Sequence, residues 1–221
     1  MQHRVTLLMS EFVTHDVKRF IISKPEGFSW VPGQGVELAI DAPGLADQGR
    51  PFTPTGLADD RVLEFTIKGY ASHAGVTQAL HKLEAGRELL MSEPFGTISY
   101  QGPGVFIAGG AGVTPFLAIL RDLARRDELV GQTLIFSNKT VADIICEKEL
   151  RHLLGEHCIL TCTGEDVPGY RNGRVDRAFI EELVQDFTQH FYLCGPPPFM
   201  EAVNGALTDL GAHAEALVFE R

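Results

Sequence analysis

Two spacing rules divide the chain. Up to about residue 100, apolar positions come in short, β-branched runs that partly alternate with polar ones: "HRVTLLMSEF", "DVKRFIIS", "QGVELAI", "RVLEFTIKGY" and "RELLMSEPFGTIS". A period near two is the mark of strands with one face buried. The turn-rich stretches "KPEG", "VPGQG", "DAPG" and "LADD" separate them. Only "GVTQALHKL" reads as a short helix. Strands joined by turns with hardly a helix predict an antiparallel barrel or sandwich.

From about residue 104 the pattern changes. Buried-looking strands "GVFIAG", "TLIFS", "HCILTC", "HFYLCG" and "AEALVF" alternate with helical stretches. Phe116, Leu120 and Leu123 fall on one helix face, and Met200, Val203, Leu207 and Leu210 on another. Five strands separated by four helical stretches predict a doubly wound parallel sheet. The predicted architecture is therefore β + α/β in two domains. An antiparallel β domain, a β-barrel or a sandwich, over residues 1–101 is followed by a five-stranded α/β domain over 102–221, with the boundary near "SYQGPG".

Composition narrows the function classes. With 221 residues, 44% of them hydrophobic and 22% charged, the chain can bury a sizeable core. Its net charge of −10, from 19 basic and 29 acidic side chains, argues against nucleic acid or an anionic membrane as partner. No apolar run is long enough to enter a membrane as a spanning helix, and "MQHRVTLLMSEF" lacks the order of a secretion signal. A cytoplasmic protein is expected. Cys146, Cys158, Cys162 and Cys194 have no framework spacing and read as free thiols of a reducing compartment. The eight histidines are scattered, so no metal site is expected.

Candidate chemistry sits at strand ends. "IAGGAGVTPFLAIL" offers Gly110-Ala111-Gly112-Val113-Thr114-Pro115, with Pro where the dinucleotide fingerprint has its third Gly. Thr114 is placed to cap the next helix and Pro115 to start it. Such a turn brings backbone amides close to an anion, or else binds nothing. "YLCGPPPFMEAV" puts Cys194, Gly195 and Pro196 at another strand end, before the helix that carries Met200. Two irregular turns on one sheet point to a shared cleft. In the first half, "GRPFTPTG" sets Arg50, Pro51, Phe52 and Thr53 together. An Arg fork suits a phosphate, an aromatic ring stacks on a flat ligand, and a hydroxyl bonds a ring nitrogen. The other reading of Arg50 is a solvated side chain on an edge strand. "SHAGVTQAL" places Gly75, Val76 and Thr77 at a helix start.

Taken together and in order, these segments resemble the ferredoxin–NADP reductase family of flavoproteins. "FSWVPGQGVEL" is similar to the family's Pro-Gly-Gln strand, and "RPFT" to its Arg-x-(Tyr/Phe)-(Ser/Thr) flavin motif. "GVT" is similar to its second flavin-phosphate turn, "GGAGVTPF" to its nicotinamide-side loop and "CGPPPFM" to its Cys-Gly-Pro motif. The resemblance implies FAD rather than FMN, with NADPH or NADH as the hydride donor. It implies that Arg50 and the Gly75–Thr77 turn hold the flavin phosphates, with Phe52 beside the isoalloxazine and Thr53 on its N5 atom. Lys68 and Tyr70 would contact the rest of the cofactor. Gly110, Ala111, Gly112, Val113 and Thr114 would face nicotinamide and pyrophosphate. Cys194 would stand beside the reacting carbon, followed by Gly195 and Pro196. Either Phe219 would cover the flavin, or the family's last aromatic is missing and Glu220 would match its acidic residue.

The nucleotide choice turns on the end of the second α/β strand. Ser137 and Lys139 stand there with no acid immediately beside them, which favours NADPH, although Asp143 follows shortly. No cluster-binding cysteine spacing occurs, so the expected acceptor is a separate redox protein, ferredoxin or flavodoxin, or a small molecule such as a ferric chelate or free flavin. Arg121, Arg125 and Arg126 form a candidate docking patch for an acidic partner. The competing reading is a non-catalytic flavin- or nucleotide-binding subunit of a larger complex.

Overall fold

The computed structural model describes residues 2–70, 75–96, 98–213 and 217–219, with Phe219 described by its backbone alone. In it the two spacing patterns become two sheets. β1 (His3–Phe12), β2 (Val17–Ser23), β3 (Val36–Ile40), β4 (Arg50–Phe52), β5 (Val62–Lys68) and β6 (Glu88–Met91) form an antiparallel sheet. Its order is β4-β3-β6-β1-β2-β5. A bridge between Pro54 and Phe65 returns the chain after β4 to β5, so the sheet nearly closes into a barrel. Alternation does what the pattern requires, since Leu63, Phe65 and Ile67 all enter the barrel core. α1 (Val76–His81) adds Val76 and Leu80 to the same core. The stretch "RELLMSEPFGTIS" is strand only over Glu88–Met91. Pro94, which has no N–H to donate, stands in its continuation.

The second sheet is wholly parallel. It comprises β7 (Gly104–Gly109), β8 (Thr133–Asn138), β9 (Cys158–Cys162), β10 (Arg171–Asn172), β11 (His190–Cys194) and β12 (Leu217–Phe219). Their order is β10-β9-β8-β7-β11-β12. The five expected strands are therefore six among the described residues. The addition, β10, is a two-residue edge strand, too short for any periodicity to announce. Four helices cover both faces: α2 (Thr114–Arg125), α3 (Glu147–Leu154), α4 (Arg177–Leu183) and α5 (Pro197–Asp209). α2 and α3 pack with Phe106, Ala108 and Phe136, whereas α4 and α5 pack with Val105, Ile107 and Ile135. Burial on both sides explains why "GVFIAG" is an unbroken apolar run.

α2 belongs to both cores. Its Phe116, Leu117, Ile119 and Leu120 lie in the α/β core, which also takes in Val17 and Ile98 from the barrel side. Its Ala118 lies in the barrel core. The connecting segment is pinned as well. The Tyr192 hydroxyl accepts from the amides of Gln101 and Gly102 at 2.9 and 3.1 Å and donates to the Gly102 carbonyl at 2.7 Å. The Tyr192 ring stacks on Tyr100 and Phe106 at 5.9 and 4.5 Å.

α1 is tied to the barrel through its last residue. His81 Nε2 pairs with the Ile67 carbonyl at 2.9 Å, and the His81 carbonyl accepts from Lys18 Nζ at 2.8 Å. Burial pushes the His81 pKa below its ordinary 6.5. The Ile67 carbonyl and Asp16 oppose that shift, while Lys18 reinforces it. On acidification the unfolded chain therefore takes up the proton first. This contribution to stability is complete above about pH 6.5 and is lost as pH falls through the lower folded-state value. The fall in melting temperature between neutral and mildly acidic pH is expected to be smaller in His81→Gln than in the parent. An equal fall in both proteins would assign the effect to other groups.

Candidate active site

The strand order reverses at β7, with β8 and β9 on one side and β11 and β12 on the other. Ligands of doubly wound sheets bind at the carboxyl ends of the strands flanking such a point. Here those ends are Gly109 and Cys194. After β7 the chain makes a single 3₁₀ turn, Gly110–Val113, before α2 begins. Gly110 has φ +54, and a Cβ placed on it would meet nothing within 4 Å, so its backbone faces open space. Gly112 is the opposite case. A Cβ there would collide with the Cys194 carbonyl and stand 2.7 Å from the Gly195 nitrogen. The turn after β7 thus lies directly against the turn after β11.

Thr114 does not cap α2, contrary to the expectation from its sequence position. It is the first residue of the helix, and no side-chain cap is present. The 3₁₀ turn already directs the Thr114 amide to the Ala111 carbonyl, and the side chain lines a cavity instead. Pro115 occupies the helix start as expected.

That cavity, of about 400 Å³, lies between the domains. Pro51, Phe52, Thr53, Thr66, Ile67 and Lys68 form its barrel wall, with Tyr70 and Thr77. Gly109, Ala111, Gly112, Thr114, Cys194, Gly195, Pro196 and Pro197 form the facing wall. A second cavity of about 620 Å³ shares Lys68, Tyr70, Gly109, Ala111 and Pro196, and reaches Gly110, Ser137, Lys139, Thr163 and Phe199. The two make one cleft.

The outer cavity also collects charge. His15, Asp16 and Asp143 line it, the first two from the β1–β2 turn and the third from the segment after β8. Asp143 Oδ2 accepts from the Thr140 amide at 2.9 Å and its hydroxyl at 2.8 Å, while Oδ1 stands 3.7 Å from His15 Nε2. Asp16 pairs with Lys68 Nζ at 2.9 Å. Burial pushes the Asp16 pKa up, but Lys68, His15 and Thr14 together hold it below the usual carboxylate value. The ligand-type atoms of His15, Asp16 and Asp143 lie within 4.8 Å of one another. Sequence spacing cannot reveal this grouping, because its members come from opposite domains. On the same cavity lies Asn138, 5% exposed, whose amide oxygen and nitrogen are both without partners among the described residues. A buried amide left open in this way suits a polar ligand.

The structure therefore brings Pro51, Phe52, Thr53, Lys68, Tyr70, Thr77, Gly110, Ala111, Gly112, Thr114, Ser137, Lys139, Cys194, Gly195 and Pro196 to the cleft. Other candidates lie elsewhere. Arg50 is exposed on the edge strand β4, where Nη1 bonds the Gly49 carbonyl at 3.0 Å. Val76 and Val113 are buried apolar core residues. Gly75 precedes α1 without lining either cavity, and Met200 packs against the α4–α5 side of the sheet. The Phe219 side chain and Glu220 lie outside the described residues.

The proposed basic docking patch is not a free positive surface. Arg121 is paired with Glu64 and Glu149, Arg125 with Asp59 and Asp122, and Arg126 with Asp122 and Glu128. Each of these carboxylates lies near in space, and only some are near in sequence. Residues that sequence reasoning passed over include His15, Asp16, Thr66 and Asn138. Polar Thr66 and Asn138 inside otherwise apolar strands were the available signal.

Residues 106–205 match the family model for the oxidoreductase NAD-binding domain. Over 219 residues the chain is 26% identical to the ferredoxin–NAD(P)(+) reductase component of a naphthalene 1,2-dioxygenase system from Pseudomonas putida, covering 95% of this chain and 66% of that protein. It is 30% identical to NADH-cytochrome b5 reductase 2 of Mycosarcoma maydis, over 91% of this chain and 63% of that protein. The chain thus spans about two thirds of the length of the curated relatives it matches. Its fold agrees with a ferredoxin NADP+ reductase from Neisseria gonorrhoeae at a TM-score of 0.85 and 19% identity, covering 99% of this chain and 97% of that one. The FAD/NAD-binding domain of a Vibrio cholerae nitric oxide dioxygenase gives a TM-score of 0.87 at 22% identity, over 98% and 97% of the two chains. With a near-closed barrel, a doubly wound sheet and a cleft between them, the chain has the fold of a ferredoxin NADP+ reductase and is similar in sequence to ferredoxin–NAD(P)(+) reductase components.

Proposed function

We propose that the chain is a flavin-dependent NAD(P)H reductase. Residues 1–101 hold FAD on the barrel wall of the cleft, and residues 102–221 hold a nicotinamide dinucleotide on the other. One observation carries this reading: Phe52 and Thr53 share a single cavity with the Gly109–Thr114 turn and Cys194. The fit is chemical as well as spatial. Phe52 offers a flat apolar wall, and Thr53, 7% exposed, offers a hydroxyl in a nearly dry place. The backbone of Gly110 is open to a ligand, and the start of α2 favours the negative charge of a pyrophosphate. Gly112 lets the two turns close together and so exclude water from between them. A bound flavin supplies hydride acceptance and the onward release of electrons.

The outer cavity favours NADH over NADPH, reversing the weight that the sequence gave to Ser137 and Lys139. Asp143 is fixed by Thr140 with an oxygen toward His15, Asp16 stands beside it, and Lys68 is already engaged with Asp16. Carboxylates suit a ribose diol and repel a 2′-phosphate. The acceptor we infer is a separate redox protein of ferredoxin type, since relatives are named as reductase components of oxygenase systems. Among the described residues no helix is long and apolar enough to cross a membrane. None of the four cysteines is in a disulfide, which supports a reducing, cytoplasmic setting.

Anaerobic mixing of FAD-loaded protein with each nucleotide tests this. NADH is expected to bleach the flavin about tenfold or more faster than NADPH, a difference of one suitably placed charge. Asp143→Asn is expected to narrow the ratio. Bleaching by neither nucleotide would defeat the function, and equal rates would defeat the NADH assignment alone.

A further inference from the structure

Arg121 stands about two turns along α2 from Thr114. Its side chain is 18% exposed and joins three groups. Nη1 donates to the Thr55 carbonyl and to Glu64 Oε1, both at 2.6 Å. Nε and Nη2 grip the two oxygens of Glu149 at 2.6 and 2.8 Å. Thr55 and Glu64 belong to the barrel, and Glu149 to α3 of the α/β domain. The guanidinium therefore crosses the domain boundary, with its planar fork filled on both sides.

Both ends of this link lead to the cleft. Thr55 lies two residues beyond Thr53, and its amide is bonded to the Glu64 carbonyl at 2.7 Å. Its hydroxyl donates to the same Glu64 Oε1 at 2.9 Å and lies 3.1 Å from the hydroxyl of Thr66, itself on the cavity wall. At the other end, α2 begins at Thr114, immediately after the Gly110–Val113 turn. Burial works against the Arg121 charge, but Glu149 and Glu64 more than offset it, so the group stays protonated. The neighbouring cross-domain pair, Arg125 with Asp59, is exposed and holds little.

We propose that Arg121 is a positioning residue for hydride transfer. Through Glu64 and the Thr55 carbonyl it fixes the barrel wall of the cleft relative to α2, and so sets how closely the two bound rings are held. The inference rests on the reductase reading above. Displacement by about 1 Å of groups remote from the chemistry can cost about 10²-fold in rate.

The test compares the FAD-loaded parent with Arg121→Lys, which keeps the charge but cannot span all three acceptors. Stopped-flow flavin reduction by NADH is expected to slow about 10²-fold at saturation. Apparent NADH affinity should stay within about threefold, which separates positioning from binding. The absorbance band of stacked flavin and nicotinamide, seen before reduction, should weaken, and amide exchange over residues 110–116 should quicken. Glu64→Gln, which removes the charge from one of the two barrel-side acceptors and leaves the Thr55 carbonyl link in place, should change rate, band and exchange in the same direction and by less. An unchanged reduction rate in Arg121→Lys with an unchanged band would overturn the proposal, as would a loss confined to affinity. A parent protein that NADH does not reduce would instead defeat the reductase reading. Should Arg121→Lys not fold, Glu64→Gln alone decides.

Discussion

Gly112→Ala is expected to cripple the protein while leaving its two sheets in place. The added methyl would have to occupy space held by the Cys194 carbonyl, with the Gly195 nitrogen at 2.7 Å. Both obstacles are backbone, so no rotamer change can relieve them, and the turns after β7 and β11 must part. Overpacking of this kind costs about 1–3 kcal/mol of stability. The functional loss should be larger, because these turns are facing parts of one cavity wall. About a 10²-fold fall in flavin reduction is expected from displacement alone. Gly110→Ala is the informative contrast. Its Cβ has free space, so only the left-handed φ of +54 opposes it, at about 1–2 kcal/mol. Thermal melts and reduction kinetics on both variants check the pair. A Gly112→Ala protein with parental kinetics would mean that the two turns can separate without consequence.

Much of this arrangement is written locally in the chain. Period-two runs place β1, β2, β3 and β5, and continuous apolar runs followed by glycine place β7 and β11. The turns quoted from the sequence are the turns that line the cleft. What could not be read is what depends on distant partners. Arg121, Arg125 and Arg126 look like an exposed basic face until Glu64, Glu149 and Asp59 are brought to them by folding. Val76 and Val113 sit within motif stretches, yet their side chains point into the cores, and only backbone at those positions is open to other use. In the sequence Asp16 only heads the strand run "DVKRFIIS" and His15 is one of the scattered histidines, and they become part of the outer cavity because Asp143 arrives from the other domain. Likewise β10 exists only because β9 offers it an edge.

The helix shared by both cores sets up a second large effect. Phe116→Ala is expected to lower stability by about 3–5 kcal/mol, since the ring is fully buried and meets Phe106 edge-on at 5.1 Å. How that loss is distributed is the sharper question. The single tryptophan, Trp30, lies in the barrel core, far in sequence from Phe116, and so reports on the barrel alone. Helical circular dichroism reports chiefly on the α/β domain, which holds four of the five described α-helices. If α2 joins the cores as its packing shows, both signals should move to lower denaturant together and by the same amount, as one cooperative unit does. Independent domains would leave the Trp30 transition where it is in the parent. Coincident movement would mean that a protein with two sheets melts as one body. The cleft between them would then be held at fixed width by the same helix whose first residue lines it.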